Sequence, residues 1–195
     1  TSVSMLAREL SLEQIRFISQ HASIETEVFV HGALCFCYSG QCYMSALIGR
    51  RSGNRGACAQ PCRMQYSMGG RMDEHPLSLR DNCLADYLQQ LADAGVACVK
   101  IEGRMKRPEY VAVITRIYAR LLEEGRGPTA DERAELEQAF SRSGFTDGYL
   151  TNRNDGKMFG VRTEADAAAT RAATPKAREL FRRELQRVPV HYELS

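Results

Sequence analysis

The sequence predicts an α/β fold in which parallel strands are joined by helices. Short runs of β-branched and apolar residues alternate with longer segments whose apolar residues recur at helical spacing. The segments between successive strands are long enough for the crossover that parallel neighbours need. Only about three strands are of this kind, and a parallel layer must be covered on both faces. The expectation is therefore an incomplete barrel or sheet, a fragment whose other strands lie upstream of Thr1. A complete but small α/β domain is the alternative.

In chain order, residues 2–6 read as a short strand. Ser11 and Gln14 form a capping box for a helix to about residue 20, with Leu12, Ile15, Phe17 and Ile18 on its apolar face. The run EVFVH over 27–31 is a strand ending at Gly32, and residues 43–48 form a short helix after Cys42. Residues 49–62 hold glycines and a proline and read as loop. Gly69 and Gly70 join two short runs as a hairpin. Asp81 is placed to cap a helix over 82–94, with Leu84, Tyr87, Leu88 and Leu91 inward and Gly95 as the stop. VACVKI over 96–101 is a strand with Cys98 in a core position. Arg107 and Pro108 open a helix to about residue 124, whose Tyr110, Val111, Ile114, Ile117, Tyr118, Leu121 and Leu122 repeat at helical spacing. Thr129 and Glu132 box a further helix to about residue 140, and 141–160 reads as loop. Thr163 and Thr174 then cap two helices, with Pro175 opening the second. A last strand is expected over 188–194.

The composition is that of an ordinary globular protein: 195 residues, 44% hydrophobic and 26% charged. With 26 Lys plus Arg against 24 Asp plus Glu, the net charge of +2 demands no acidic partner. No run is long and apolar enough for a membrane span, and no export leader is recognisable.

Cysteine stands out. Of seven, five (Cys35, Cys37, Cys42, Cys58 and Cys62) fall within 28 residues, with Cys83 and Cys98 beyond. An odd count with no leader argues against a secreted disulfide framework and for metal or redox chemistry. Cys35 and Cys42 follow a strand, where α/β folds build their sites. The gaps are six residues from Cys35 to Cys42, fifteen to Cys58 and three to Cys62. Only the last pair fits the C-x2-4-C spacing of structural zinc, whereas an iron–sulfur cluster accepts wider, irregular loops. Residues 28–72 contain no Asp or Glu but do contain Arg50, Arg51, Arg55, Arg63 and Arg71. Such cations stabilise an anionic centre and are equally suited to phosphates, although arginines in a loop are by themselves an ordinary solvated face. Cys37, Cys83 and Cys98 read as incidental buried thiols. Glu102, Arg104 and Lys106 follow a strand end, as a ligand-facing loop or as a surface salt-bridge cluster. His31 reads as a hydrogen-bonded structural histidine.

The run from Glu27 to Ser45, with Phe29, Gly32, Ala33, Leu34, Cys35, Gly40, Cys42 and Met44, resembles the signature of the U-32 peptidase family, the collagenase-like proteases. NRGACAQPCR, PLSLRD, VKIEGRMKRPEYVA and GFTDGYL resemble that family too, so the likeness covers nearly the whole chain. It implies the C-terminal part of a TIM-barrel-like domain over residues 1–125. A helical extension over 126–195 then leads into a truncated small β domain. It also implies a 4Fe–4S cluster on Cys35, Cys42, Cys58 and Cys62, with Cys83 as reserve for the fourth ligand. Arg55, Arg63, Glu102, Arg104 and Lys106 are the substrate-binding candidates. The activity implied is hydroxylation without molecular oxygen, on ribosomal or transfer RNA or a ubiquinone precursor, with prephenate as hydroxyl donor. The CAQPCR form is closest to the 23S ribosomal-RNA branch. A cytoplasmic location goes with such a substrate. The competing readings are a peptidase, for which neither a G-x-S-x-G elbow nor an HExxH motif is present, and a structural zinc module.

Overall fold

The computed structural model describes residues 2–104 and 106–181. The expected strand over 188–194 lies outside them. β1 (Val3–Met5) leads into α1 (Leu12–His21), whose Ser11–Gln14 capping box is formed on both sides. β2 (Glu25–Ala33) is the longest strand and the centre of the sheet. α2 (Met44–Gly49) follows the first cysteine loop, and two single 3-10 turns, Gly53–Arg55 and Pro61–Arg63, carry the second. β3 (Tyr66–Met68) and β4 (Arg71–Glu74) form the expected hairpin across Gly69 and Gly70. β5 (Asp81–Cys83), α3 (Leu88–Asp93), β6 (Cys98–Ile101), α4 (Pro108–Glu124), α5 (Ala130–Ala139), β7 (Phe145–Thr146) and α6 (Glu164–Arg178) complete the order.

The architecture is mixed α/β. β1 and β6 both run parallel to β2, pairing Val3 with Glu25 and Glu27 with Cys98. These three strands are the βαβ frame the alternation predicts. At its carboxyl end β2 pairs antiparallel with β5, His31 opposite Cys83, and β5 pairs parallel with β7. The register of β2 against β6 slips between Phe29 and His31. The extra residue, Val30, has a carbonyl that accepts from Leu84 N at 2.8 Å and Tyr118 Oη at 3.0 Å. Helices cover the sheet with a core of Ile15, Val28, Val30, Leu88, Leu91, Ile114, Ile117 and Leu121. The stretch after Gly125 packs on the same core through Leu136, Leu150 and Ala177.

Four local expectations are corrected. Asp81 is not a helix cap but the first residue of β5. It is 1% exposed, and Arg142 Nη1 donates to both its carboxylate oxygens at 2.6 and 2.7 Å. Strand pairing and this buried ion pair override the local capping preference. Cys98 is exposed, because β6 pairs within the described residues only with β2 and turns that thiol toward Glu27. Phe17 is exposed and stacks on His21, while Val113, not Val111 or Leu122, joins the buried face of α4. α6 runs unbroken through Pro175, and Thr174 donates to the Thr170 carbonyl rather than capping a new helix.

Candidate functional site

Parallel β1, β2 and β6 end at one edge of the sheet, so the segments leaving their carboxyl ends converge there. Arg8 comes from β1, the Cys35 loop from β2 and Glu102 from β6. Arg8 joins all three. Its Nη1 donates to the Ala33 carbonyl at 3.1 Å and reaches Cys35 Sγ at 3.6 Å, and its Nη2 pairs with Glu102 Oε2 at 2.8 Å. The guanidinium lies over the Phe29 ring, 3.9 Å from its centroid. Gly32 makes this junction possible. Its φ is +110°, and a Cβ there would stand 2.7 Å from the Glu102 carbonyl oxygen.

The two cysteine loops are tied to this edge by specific bonds. Glu9 accepts from both N and Oγ of Ser39 at 2.9 Å, and Tyr149 Oη donates to the Cys35 carbonyl at 3.0 Å. Leu34, Leu79 and Met158 form a small buried cluster beneath. Ser45, buried on α2, accepts from Ala59 N at 3.0 Å and donates to Cys58 Sγ at 3.7 Å, while Gln60 N reaches the same sulfur at 3.3 Å. Arg63 braces the loops from inside, donating to the Leu34 and Leu79 carbonyls and Ser78 Oγ. Arg104 reaches from the β6 end to the Gly56 carbonyl at 3.1 Å.

All seven cysteines are free thiols. Cys35, Cys42, Cys58 and Cys62 lie on the two loops that these bonds tie together. Burial pushes the Cys62 thiol up; the Arg63 cation opposes this, and Cys35, Cys58 and Cys42 add to it. Cys37 lies beside Cys42: burial and then Cys42 and Cys35 raise its thiol, and the Tyr38 amide opposes them. Cys83 lies elsewhere, in the core beside Tyr118 Oη at 3.7 Å. Among the described residues, no three Cys, His, Asp or Glu side chains converge tightly enough to hold a single metal ion.

The cationic candidates separate into three kinds. Arg63 and Arg104 hold backbone, Arg55 is exposed on its turn, and Lys106 sits on aromatic rings. Lys106 Nζ lies 2.8 Å from the Phe140 centroid, at a cleft of about 950 Å³ between α4, α5 and α6. Burial lowers its ammonium to about 7; Asp81 opposes the shift, and Arg142, Arg162 and Arg63 strengthen it. His31 is 1% exposed and structural, its Nδ1 3.2 Å from Tyr118 Oη and its Nε2 without a partner among the described residues. Burial, and then Lys106, push it down to about 3. Arg8 and Glu9 escaped sequence reasoning. The only signal for them was their place directly after the first strand of a βαβ frame.

The sequence profile of peptidase family U32 matches residues 2–159, taking in both cysteine loops and the ends of β1, β2 and β6. The chain belongs to peptidase family U32. Its similarity to individual U32 relatives points two ways. It is 46% identical over 143 residues to the 23S rRNA 5-hydroxycytidine synthase of Escherichia coli, a match covering 70% of the chain and 21% of that protein. It is 36% identical over 180 residues to a collagenase of Porphyromonas gingivalis, covering 80% of the chain and 43% of the relative. A tRNA hydroxylation protein of Bacillus subtilis is 34% identical over 131 residues, 61% of the chain and 31% of its own length. The U32 chain thus spans less than half the length of these relatives. No solved structure matches it. No helix among the described residues is long and apolar enough to cross a membrane.

Proposed function

We propose that this U32 chain is part of an iron–sulfur enzyme that hydroxylates an RNA base without molecular oxygen, with ribosomal RNA as the favoured substrate. The observation that carries the proposal is the placing of Cys35, Cys42, Cys58 and Cys62 on two mutually bonded loops at the carboxyl end of β2, within a segment free of carboxylates. A 4Fe–4S cluster binds each thiolate to a different iron, so its ligands stand further apart than those of one zinc. The wide, irregular spacing of the four cysteines, with only Cys58 and Cys62 at a structural-zinc interval, supports the larger core over a zinc module. When bound, such a cluster supplies electron transfer or a Lewis-acidic iron. Arg8 and Arg63 would stabilise its negative charge, and Ser45 and the Gln60 amide would hold Cys58 in position. Arg55 meets the substrate's phosphates, and Glu102, fixed by Arg8 and by Arg104 N at 2.9 Å, orients it. The hydroxyl comes from a donor other than dioxygen, with prephenate carried over from the family resemblance.

In this reading β1, β2 and β6 are an arc of a TIM-barrel-like domain over residues 1–125, with 126–195 as its helical extension. RNA as substrate puts the protein in the cytoplasm. The peptidase reading gains nothing from the site. His31 is sealed in the core, and the one side-chain bond His75 makes among the described residues is from Nδ1 to the Arg63 carbonyl at 2.9 Å, not to a thiol.

Deleting the gene and digesting ribosomal and transfer RNA to nucleosides for mass spectrometry tests the reading. Loss of one hydroxylated nucleoside, restored by the wild-type gene and not by Cys42→Ala, is the expected result. An unchanged nucleoside profile, or full restoration by Cys42→Ala, overturns it.

A further inference from the structure

The cysteine segment carries a second feature that the cluster does not explain. Tyr38 is 70% exposed and Tyr43 66%, and Phe36, tilted against the Phe159 ring at 6.1 Å, is still 45% exposed, although aromatic rings of this size are normally drawn inward. They lie within the carboxylate-free stretch, beside or between the candidate cluster ligands. Arg50, Arg51 and Arg55 come after them in the same stretch. All three are exposed, and none makes an ion pair or side-chain hydrogen bond among the described residues. Elsewhere arginines are mostly paired, as Arg116, Arg126, Arg133 and Arg142 are.

We infer that Phe36, Tyr38 and Tyr43 form a stacking platform for unpaired nucleotides of the RNA, with Arg50, Arg51 and Arg55 on the flanking phosphates. The inference rests on the RNA reading above and adds to it the form of RNA that is bound. Exposed rings offer flat π faces to a base, and only a base splayed out of its helix has a free face to offer back. Three unpaired guanidinium groups with no nearby carboxylate of their own segment suit a polyanion better than a neutral protein surface. The platform is also held in shape before binding. Glu9 fixes Ser39 next to Tyr38, Gln41 N closes a turn on the Tyr38 carbonyl at 3.1 Å, and Tyr149 fixes the Cys35 carbonyl. These bonds set the backbone of the loop that carries Phe36 and Tyr38 before binding, which lowers the cost of ordering it. Tyr38 adjoins Cys37 and is three residues from Cys35, so a base stacked there lies next to the thiols.

Fluorescence anisotropy with a labelled ten-nucleotide single strand, and with the same strand in duplex, tests this. The wild-type chain is expected to prefer the single strand. Tyr38→Ala and Tyr43→Ala should each weaken that binding roughly tenfold, the loss expected for one stacked base. Tyr38→Phe should bind like wild type, since it keeps the ring. Replacing Arg50, Arg51 and Arg55 by Gln should reduce the slope of log K against log salt by about 2, at roughly 0.7 for each phosphate no longer neutralised. Iron content after anaerobic reconstitution should be the same in all the variants. Tyrosine variants that bind single strands as tightly as wild type overturn the platform and leave the RNA reading standing. Absence of RNA binding by the wild-type chain overturns both. A dimer in sedimentation that Tyr38→Ala dissolves and RNA does not also overturns the platform, and assigns the face to a second copy of the chain.

Discussion

Replacing Gly32 by alanine tests how the sheet edge is built. Gly32 sits at φ +110°, where an L side chain costs about 1–2 kcal/mol. The added Cβ would also stand 2.7 Å from the Glu102 carbonyl oxygen and 2.9 Å from the Glu102 Cβ. Neither atom is the free end of a flexible chain, so β6 must move away from β2, at a further cost of about 1–3 kcal/mol. The sum is about 2–5 kcal/mol, a fall in Tm of about 10 °C for a chain of this length. Gly40 is the control: its φ is +76°, with nothing within 4 Å of an added Cβ, so Gly40→Ala carries the conformational cost alone. Urea unfolding of the two variants measures the difference. If Gly32→Ala costs no more stability than Gly40→Ala, the close approach of β2 to β6 is wrong.

Three further outcomes are expected of the site and its surroundings. Arg142→Ala strands the buried Asp81 carboxylate and should cost about 3–5 kcal/mol by urea unfolding, whereas a loss under about 1 kcal/mol would show that the pair is not buried. His31 is held neutral, with its folded pKa near 3 and its unfolded value at 6.5, so its contribution is fully present above 6.5 and is lost as pH falls toward 3. Between pH 6.5 and 5 the wild type should lose about 2 kcal/mol more than His31→Gln, and parallel pH profiles would refute the burial. Arg8→Ala removes the bonds to Cys35, Ala33 and Glu102 together, so chelator-driven iron release should speed up severalfold, with Arg8→Lys intermediate; unchanged release would separate Arg8 from the thiols.

What was legible in the sequence is what is encoded locally. The capping boxes at Ser11 and Thr129 close within three residues, and both formed as expected. The hairpin at Gly69 and Gly70 and the buried face of α4 are short-range patterns of the same kind. Asp81 failed for the opposite reason. An aspartate ahead of an apolar run looks the same whether it caps a helix or pairs with an arginine 61 residues away. Cys98 failed because exposure of a strand residue depends on which neighbours flank it, not on its own sequence. The four cysteines could be singled out by count and spacing, but Arg8 and Glu9 act through contacts across 25 to 94 residues, which no local pattern reveals. The family likeness supplied the proposed ligand set, and the structure added what ties the loops together.

Iron and acid-labile sulfide measured on the anaerobically reconstituted chain, alongside its Cys35→Ala, Cys42→Ala, Cys58→Ala, Cys62→Ala and Cys83→Ala variants, bear most directly on the central claim. The expected result is about four iron and four sulfide per wild-type chain. The cluster should be lost in each of the first four variants and kept in Cys83→Ala. A wild-type chain that takes up one zinc and no iron, or first four variants that all keep full iron, would contradict it.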